Sequence, residues 1–491
     1  MSDGHEHPVA LSVDGQPALF PTLPYKMHDR AEAFMHDEQI QRFVNQATLN
    51  RNANRQATAH EVFGDKHSDL RALAGSIKQH TLDHLDHYIE QFIDNATAAG
   101  VQVHFAKDAK EANAICVEIA RQEKSTACVK SKSMVTEETH LLPELEAIGV
   151  DVLETDLGEF ILQIDGDAPS HIVTPMIHKD RIAVAKAFQR ELGARYTEDP
   201  AELTMIAREH LREKFRQADL GISGGNFLVA ETGSIVLCTN EGNGRLCTTV
   251  PRVHVAFVGI EKLVPTYEHL TVLLKLLART STAQPLTVYT HVLTGPKRAP
   301  EHDGPEKMHI ILIDNGRTNI LRDTEYREAL RCIRCGACLN ACPVYRKVTG
   351  HAYGAVYSGP IGAVITPLFK GLENYKDLPG ATSLCGACYE ACPVKINLPE
   401  MLIKLRRDML AGKAVGRMEK LAYKMGAIGL KGPLMYSIGG WFQRVGLRLL
   451  ADKDGYVRKG PSLLKNWTSQ RDLPAPAAQN FRTWWKQYKR K

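Results

Sequence analysis

Seven of the eleven cysteines lie between residues 332 and 392, in two motifs whose spacing can hold iron–sulfur clusters. The first motif has the spacing C-x2-C-x2-C-x3-C followed by proline, and the second has C-x2-C-x3-C followed by proline. Three thiolates from one turn can reach one face of a cubane cluster, while the last cysteine reaches the neighbouring cluster. The cysteines of the two motifs are Cys332, Cys335, Cys338 and Cys342, then Cys385, Cys388 and Cys392.

This pattern predicts two [4Fe–4S] clusters with exchanged ligands. Cluster 1 is expected on Cys332, Cys335, Cys338 and Cys392, and cluster 2 on Cys342, Cys385 and Cys388. Residue 382, where the pattern would place an eighth cysteine, is Thr382. The fourth iron of cluster 2 therefore takes another residue, water or substrate, or is absent and leaves [3Fe–4S]. Zinc is disfavoured, because zinc sites use pairs of C-x2-C with a longer spacer.

Other polar segments carry weaker signals. Lys130–Ser133 follows a predicted strand, where it is either an anion site or a solvated turn. The glycine-rich segment 221–245 has no G-x-G-x-x-G order, so no nucleotide site is predicted. Arg334 and Lys395 are expected as solvated charges, although either would raise the potential of a nearby cluster. No catalytic residue and no further cofactor-binding residue is assigned.

The elements around the cysteines follow an alternating order of strands and helices, which predicts an α/β fold with a mainly parallel sheet. We expect four regions. Residues 1–65 form an N-terminal mobile lead-in and helix, and 66–318 an α/β domain. Residues 319–411 form an α-helical ferredoxin-type domain, favoured by the 42 residues between Cys342 and Cys385. Residues 412–491 form a basic helical tail.

Charge is divided unevenly along the chain. Residues 401–491 hold 20 Lys and Arg against 5 Asp and Glu, so a chain of net charge +5 carries +15 there and −10 elsewhere. All four tryptophans also lie in this tail, which favours docking to a protein or an anionic membrane surface over nucleic-acid binding. Neither a signal peptide nor an apolar run of membrane-spanning length is predicted, so we expect a cytoplasmic protein with reduced cysteines.

Longer strings resemble the lactate utilization protein B family, the iron–sulfur subunits of a bacterial L-lactate oxidation complex. The resemblance covers roughly residues 30 to 480. Its most specific strings are VKSKSMVTEETHL (129–141), GISGGNFLVAETGSIVLCTNEGNGR (221–245), CIRCGACLNACPVYR (332–346) and LCGACYEACPVKINLPE (384–400).

The resemblance implies a lactate-utilisation domain similar in fold to the sugar-isomerase and CoA-transferase superfamily. It also implies an electron-transfer role in oxidising L-lactate to pyruvate, which allows growth on lactate. The partners would be a cysteine-rich subunit and a small α/β subunit, and the chain would be a component of the oxidoreductase rather than a complete enzyme. Two other hypotheses stay open: a hydro-lyase using the open iron of cluster 2 as a Lewis acid, and a non-redox scaffold.

Overall fold

The computed structural model describes residues 21–412, 416–461, 464–468 and 471–489. The predicted lead-in therefore lies mostly outside the described residues. The chain divides into two compact units, residues 1–414 and 415–491, and each is described by itself. In the described part of unit 1, four α-helices precede the first strand: α1 (Met27–Met35), α2 (Glu38–Phe63), α3 (His67–Asp83) and α4 (Leu85–Ala98).

The α/β region follows these helices. Its elements are β1 (Gln102–Ala106), α5 (Ala109–Gln122), β2 (Ala127–Lys130), α6 (Met134–Thr139), α7 (Leu141–Glu146), β3 (Asp151–Glu154), α8 (Leu157–Ile164), α9 (Arg181–Leu192), α10 (Pro200–Gln217), β4 (Leu220–Ser223), β5 (Phe227–Val229), β6 (Ser234–Thr239), α11 (Asn243–Thr249), β7 (Val253–Gly259), β8 (Leu263–Val264), α12 (Tyr267–Thr282), β9 (Tyr289–Leu293), β10 (Lys307–Ile313) and α13 (Arg317–Arg322).

Six strands form one parallel sheet in the order β1-β10-β7-β4-β2-β3, which confirms the predicted fold class. The central strand β7 is buried along its whole length. Its alternate residues enter different cores: Val255 and Phe257 pack on one side of the sheet, and Ala256 and Val258 on the other. Helices cover both faces, which explains why this strand is apolar throughout.

A second sheet of four strands, β8-β5-β6-β9, contains both parallel and antiparallel pairs. The glycine-rich segment is divided between the two sheets, because β4 belongs to the first and β5 and β6 to the second. Gly225 lies between β4 and β5, where the chain passes from the first sheet to the second. A Cβ atom there would be 3.0 Å from Val258 of β7, so a side chain would crowd the central strand.

The cysteine motifs lie in a helical region with α14 (Ala337–Ala341), α15 (Pro343–Val348), α16 (Gly359–Lys370), α17 (Ala387–Ala391) and α18 (Leu398–Ala411). This region shares one apolar core with the N-terminal helices and α12. Val44 of α2, Leu273 of α12, Tyr345 of α15 and Leu402 of α18 all belong to it. The N-terminal helices therefore help to build the cysteine region.

Unit 2 contains α19 (Arg417–Leu430), α20 (Pro433–Leu450), β11 (Tyr456–Val457), α21 (Lys465–Thr468), β12 (Leu473–Pro474) and α22 (Phe481–Tyr488). The two short strands pair antiparallel. Large apolar side chains are exposed along α19, α20 and α22, among them Trp441, Phe442 and Trp484. Among the residues described, no helix combines the length and apolarity needed to cross a membrane.

Candidate metal centre

The two cysteine motifs have the same backbone conformation, fifty residues apart. Arg334 and Leu384 have positive φ angles of 60° and 54°, and Gly336 and Gly386 follow with 74° and 83°. A five-residue helix comes next in each motif, α14 in the first and α17 in the second. Two residues of positive φ fold the chain back on itself before the helix. The turn therefore brings the cysteines on either side of it toward one centre.

Thr382 occupies the position that corresponds to Cys332. In the first motif the backbone N–H of Arg334 donates to Cys332 Sγ over 3.4 Å. In the second motif the backbone N–H of Leu384 donates to Thr382 Oγ1 over 3.0 Å. The local fold is thus kept where the thiol is replaced by a hydroxyl.

The last cysteine of each motif stands where its short helix ends. Cys342 has φ −82° and ψ 120°, and Cys392 has φ −73° and ψ 120°. Each sulfur accepts a backbone N–H: Cys342 from Tyr345 at 3.5 Å and Cys392 from Ile396 at 3.3 Å. Such N–H···S contacts favour a thiolate, the form that binds metal.

Electrostatic influence on the pKa values of the thiols links the last cysteine of each motif to the other motif. Burial raises the pKa of Cys335, and the neighbouring Cys392 and Cys332 raise it further. Burial likewise raises the pKa of Cys388 to about 12, with added contributions from Cys342 and Cys385. The last cysteine of each motif therefore lies beside the first cysteines of the other motif. All eleven cysteines of the chain are free thiols.

The seven cysteines differ in exposure. Cys335, Cys342, Cys388 and Cys392 are buried, Cys332 and Cys338 are partly exposed, and Cys385 is exposed. The pKa of Cys385 is lowered by the Ala387 N–H and the Ser383 hydroxyl, which outweigh its small desolvation. Of these seven thiols, Cys385 is therefore the one most open to solvent.

A buried charge network joins the first motif to the parallel sheet. Arg317 pairs with Glu138 at 2.9 Å and with Glu261 at 2.5 Å, and all three side chains are almost fully buried. Arg334, expected at the surface, is instead mostly covered, with its side chain 10% exposed. Its Nη2 lies 3.6 Å from Glu261 and its guanidinium 4.3 Å from the Tyr357 ring centroid. Burial disfavours the charged form of Glu261. The positive charges of Arg317, Lys262 and Arg334 outweigh this and lower the pKa of Glu261 to about 2.

This network contains more cations than carboxylates. Lys78 and Lys262 are buried beside Glu261, and burial lowers the pKa of Lys78 to about 7 and that of Lys262 to about 8. Both lysines interact electrostatically with Cys332. An excess of buried cations is costly unless an anion balances it. A cluster held by thiolates carries negative charge, so these residues fit an iron–sulfur group.

Tyr353 is a second residue whose surroundings fit a bound iron–sulfur group. Its ring is fully buried, and among the described residues its hydroxyl has no hydrogen-bond partner. Burial raises its pKa, and Cys342, Cys338 and Cys388 add to the shift, so the hydroxyl lies near both thiol groups. A buried donor without an acceptor is unusual in folded proteins. Cluster or cysteine sulfur would accept this hydrogen.

Three of the four residues of the segment Lys130–Ser133 line a cavity, and Lys130 does not. Lys130 pairs with Glu154 at 2.6 Å inside the protein. Ser131, Lys132 and Ser133 line a cavity of about 390 Å³ at the carboxyl ends of β2 and β4. Arg334, in the first cysteine motif, also lines this cavity.

Glu261 was not predicted as a functional residue. The sequence feature that could have indicated it is the charged pair Glu261–Lys262, which follows the apolar strand β7.

Three family models match consecutive parts of the chain. The LUD domain matches residues 89–313, the 4Fe-4S dicluster domain residues 328–396, and the C-terminal model of lactate utilisation protein B residues 407–490. The second match contains both cysteine motifs and the turns described above.

Curated relatives have similar sequences along most of the chain. Lactate utilization protein B of Shouchella clausii is 51% identical over 85% of this chain and 88% of its own. The protein of the same name from Bacillus licheniformis is 45% identical over 94% and 96%. The chain belongs to the lactate utilization protein B family. Membership of this family assigns it to lactate utilisation, and the 4Fe-4S domain makes it an iron–sulfur protein.

Proposed function

We propose that this chain is the electron-transfer subunit of a system that oxidises L-lactate to pyruvate. The observation that carries the proposal is the arrangement of the cysteines in two neighbouring thiol groups beside a buried excess of cations. When bound, two clusters supply one-electron couples that connect a two-electron oxidation to a one-electron acceptor. The exposed Cys385 would put one ligand of the second cluster at the surface, where an acceptor can approach.

The ligand sets follow the two thiol groups. Cys332, Cys335, Cys338 and Cys392 would hold a [4Fe–4S] cluster. Cys342, Cys385 and Cys388 would hold the second cluster, whose fourth iron takes a non-cysteine ligand or is missing. The influence of Cys392 on Cys335, and of Cys342 on Cys388, supports this exchange of ligands between motifs.

We place the cysteine-rich and small α/β subunits of the complex as partners. The exposed aromatic and apolar side chains of the basic unit 2 support a docking role, toward those subunits or an anionic membrane surface. Ligation by reduced thiols favours a cytoplasmic location.

The test is anaerobic purification of the full chain with and without its neighbouring subunits. Iron and sulfide counting should give two clusters per chain, and L-lactate should reduce them only when the partner subunits are present. Clusters that stay oxidised with lactate in the assembled complex would refute an electron-transfer role.

The three-thiol group, with its exposed Cys385, also favours a second candidate, a hydro-lyase in which the open iron binds a hydroxy acid. In that case a hydroxy acid would perturb the spectrum of the second cluster and be dehydrated without any reduction of the clusters.

A further inference from the structure

The cavity of about 390 Å³ lies between the parallel sheet and the first cysteine motif. Ser131–Ser133 directly follow β2, and Gly224–Asn226 directly follow β4. Parallel α/β sheets bind ligands at the carboxyl ends of their strands. The volume lies within the range of roughly 300–1,000 Å³ that is typical of small-molecule sites.

Three cations face this cavity without a full set of partners. Arg334 Nη1 is buried and donates to no acceptor among the described residues, and the same holds for Arg51 Nη1. Lys262 is only 7% exposed, and within the described part of the chain it makes no hydrogen bond or ion pair. Arg334 has one carboxylate nearby, Glu261 at 3.6 Å, and Lys262 and Arg51 have no ion pair among the described residues. Positive charge in a partly buried cavity without enough counter-charge favours a bound anion.

The polar groups of the cavity fall into two patches. Lys262 and Arg334 influence one another electrostatically near Cys332. Asp156 and Glu241 form the other patch, where burial and the charge of Asp156 raise the pKa of Glu241 to about 7. One patch suits a carboxylate, and the other offers acceptors for a hydroxyl group of the same small molecule.

We propose that this cavity binds a small carboxylate, a 2-hydroxy acid or its 2-oxo counterpart, with the carboxylate between Lys262 and Arg334. The anion site rests on the charges and burial described above, and the choice of a hydroxy acid rests on the proposed function. A dianionic phosphate fits less well, because Asp156 and Glu241 would repel its second charge. Arg334 also donates its backbone N–H to Cys332, so the bound acid would lie beside the first cysteine motif.

The test is titration calorimetry on the cluster-loaded full chain with L-lactate, pyruvate and inorganic phosphate. Both acids should bind, and phosphate should not displace them. Lys262→Met should weaken binding about thirtyfold, because it removes one partner of a buried charge pair. Lys110→Met, on the exposed side of α5, is the matched control and should leave affinity unchanged. Iron content of each variant is measured alongside.

Absence of binding by both acids would overturn the proposal, and so would phosphate binding in their place. If Lys262→Met does not accumulate as folded protein, Arg51→Met replaces it, and an unchanged affinity there would also count against the site. Pyruvate binding needs no electron transfer. If the acids bind but lactate fails to reduce the clusters in the complex assembled with the partner subunits, the proposed function is rejected and the site is kept.

Discussion

Residues 332–342 and residues 382–392 share one backbone conformation but have different surroundings. The first motif is packed against the sheet through Arg334 and Glu261, while the second ends in the exposed Cys385. The spacing of cysteines fixes the local turn, which is why both motifs have it. Burial and charge come from elements far away in the chain, and these give two similar turns different electrochemical environments.

The largest effect should come from removing one buried thiol. Cys335→Ser is expected to lower the iron content by about half, because the proposed cluster 1 loses a ligand while the ligands of cluster 2 remain. Iron analysis and electron paramagnetic resonance of the reduced protein measure this. Cys116→Ala, which changes a core cysteine of the sheet, is the control and should retain all iron. Equal loss of both clusters would show that the two groups are not independent.

The second-largest effect should come from breaking the buried charge network of Arg317, Glu138 and Glu261. Arg317→Met leaves Glu138 and Glu261 buried without their shared cation, which should lower the free energy of unfolding of unit 1 by about 3–5 kcal/mol. Denaturant titration of the variant measures this. The exposed Arg322→Met at the end of α13 is the control, with an expected change within about 0.5 kcal/mol. A small effect of Arg317→Met would mean that the sheet does not support the first motif.

A smaller change is expected from the unpartnered hydroxyl between the two thiol groups. Tyr353→Phe should lower a cluster potential by about 60 mV, because a hydrogen bond to sulfur of roughly 1.4 kcal/mol stabilises the reduced cluster. Redox titration followed by electron paramagnetic resonance measures the potential. Tyr375→Phe is the control, since its hydroxyl already donates to the Gly354 carbonyl at 3.3 Å. The hypothesis fails if both variants shift the potential equally.

The smallest change should make the two motifs more alike. Thr382→Cys places a thiol at the position equivalent to Cys332, where the local fold already exists. We expect unchanged folding and a second cluster that keeps its fourth iron, seen as slightly more iron per chain and no three-iron signal after mild oxidation. A variant that still shows the three-iron signal would mean that the side chain at 382 does not reach the cluster.

Much of this architecture follows from local sequence. The alternating order of strands and helices predicted the parallel sheet, because parallel strands need helical crossovers between them. The fully buried β7 agrees with such a sheet. The cysteine spacing and the two prolines predicted which thiols group together, and the ligand sets stay a prediction. The second sheet was not predicted, since its strands are short and their pairing joins segments distant in sequence.

The surroundings of the site were harder to predict. Arg334 was expected in solvent, because nothing local to it shows that Glu261 and Tyr357 cover it. Tyr353 had no signal in the sequence for the same reason. Long-range packing decides which charges are buried, and one sequence contains no direct record of that packing.

The matching ends of α14 and α17 have a consequence for the order of assembly. Under the proposed ligation, Cys342 completes the group of the second motif and Cys392 that of the first. Neither motif can then hold a complete cluster alone, so iron insertion must wait until residue 392 has left the ribosome and the two turns have met. Stable iron incorporation would thus report that both halves of this region have folded together.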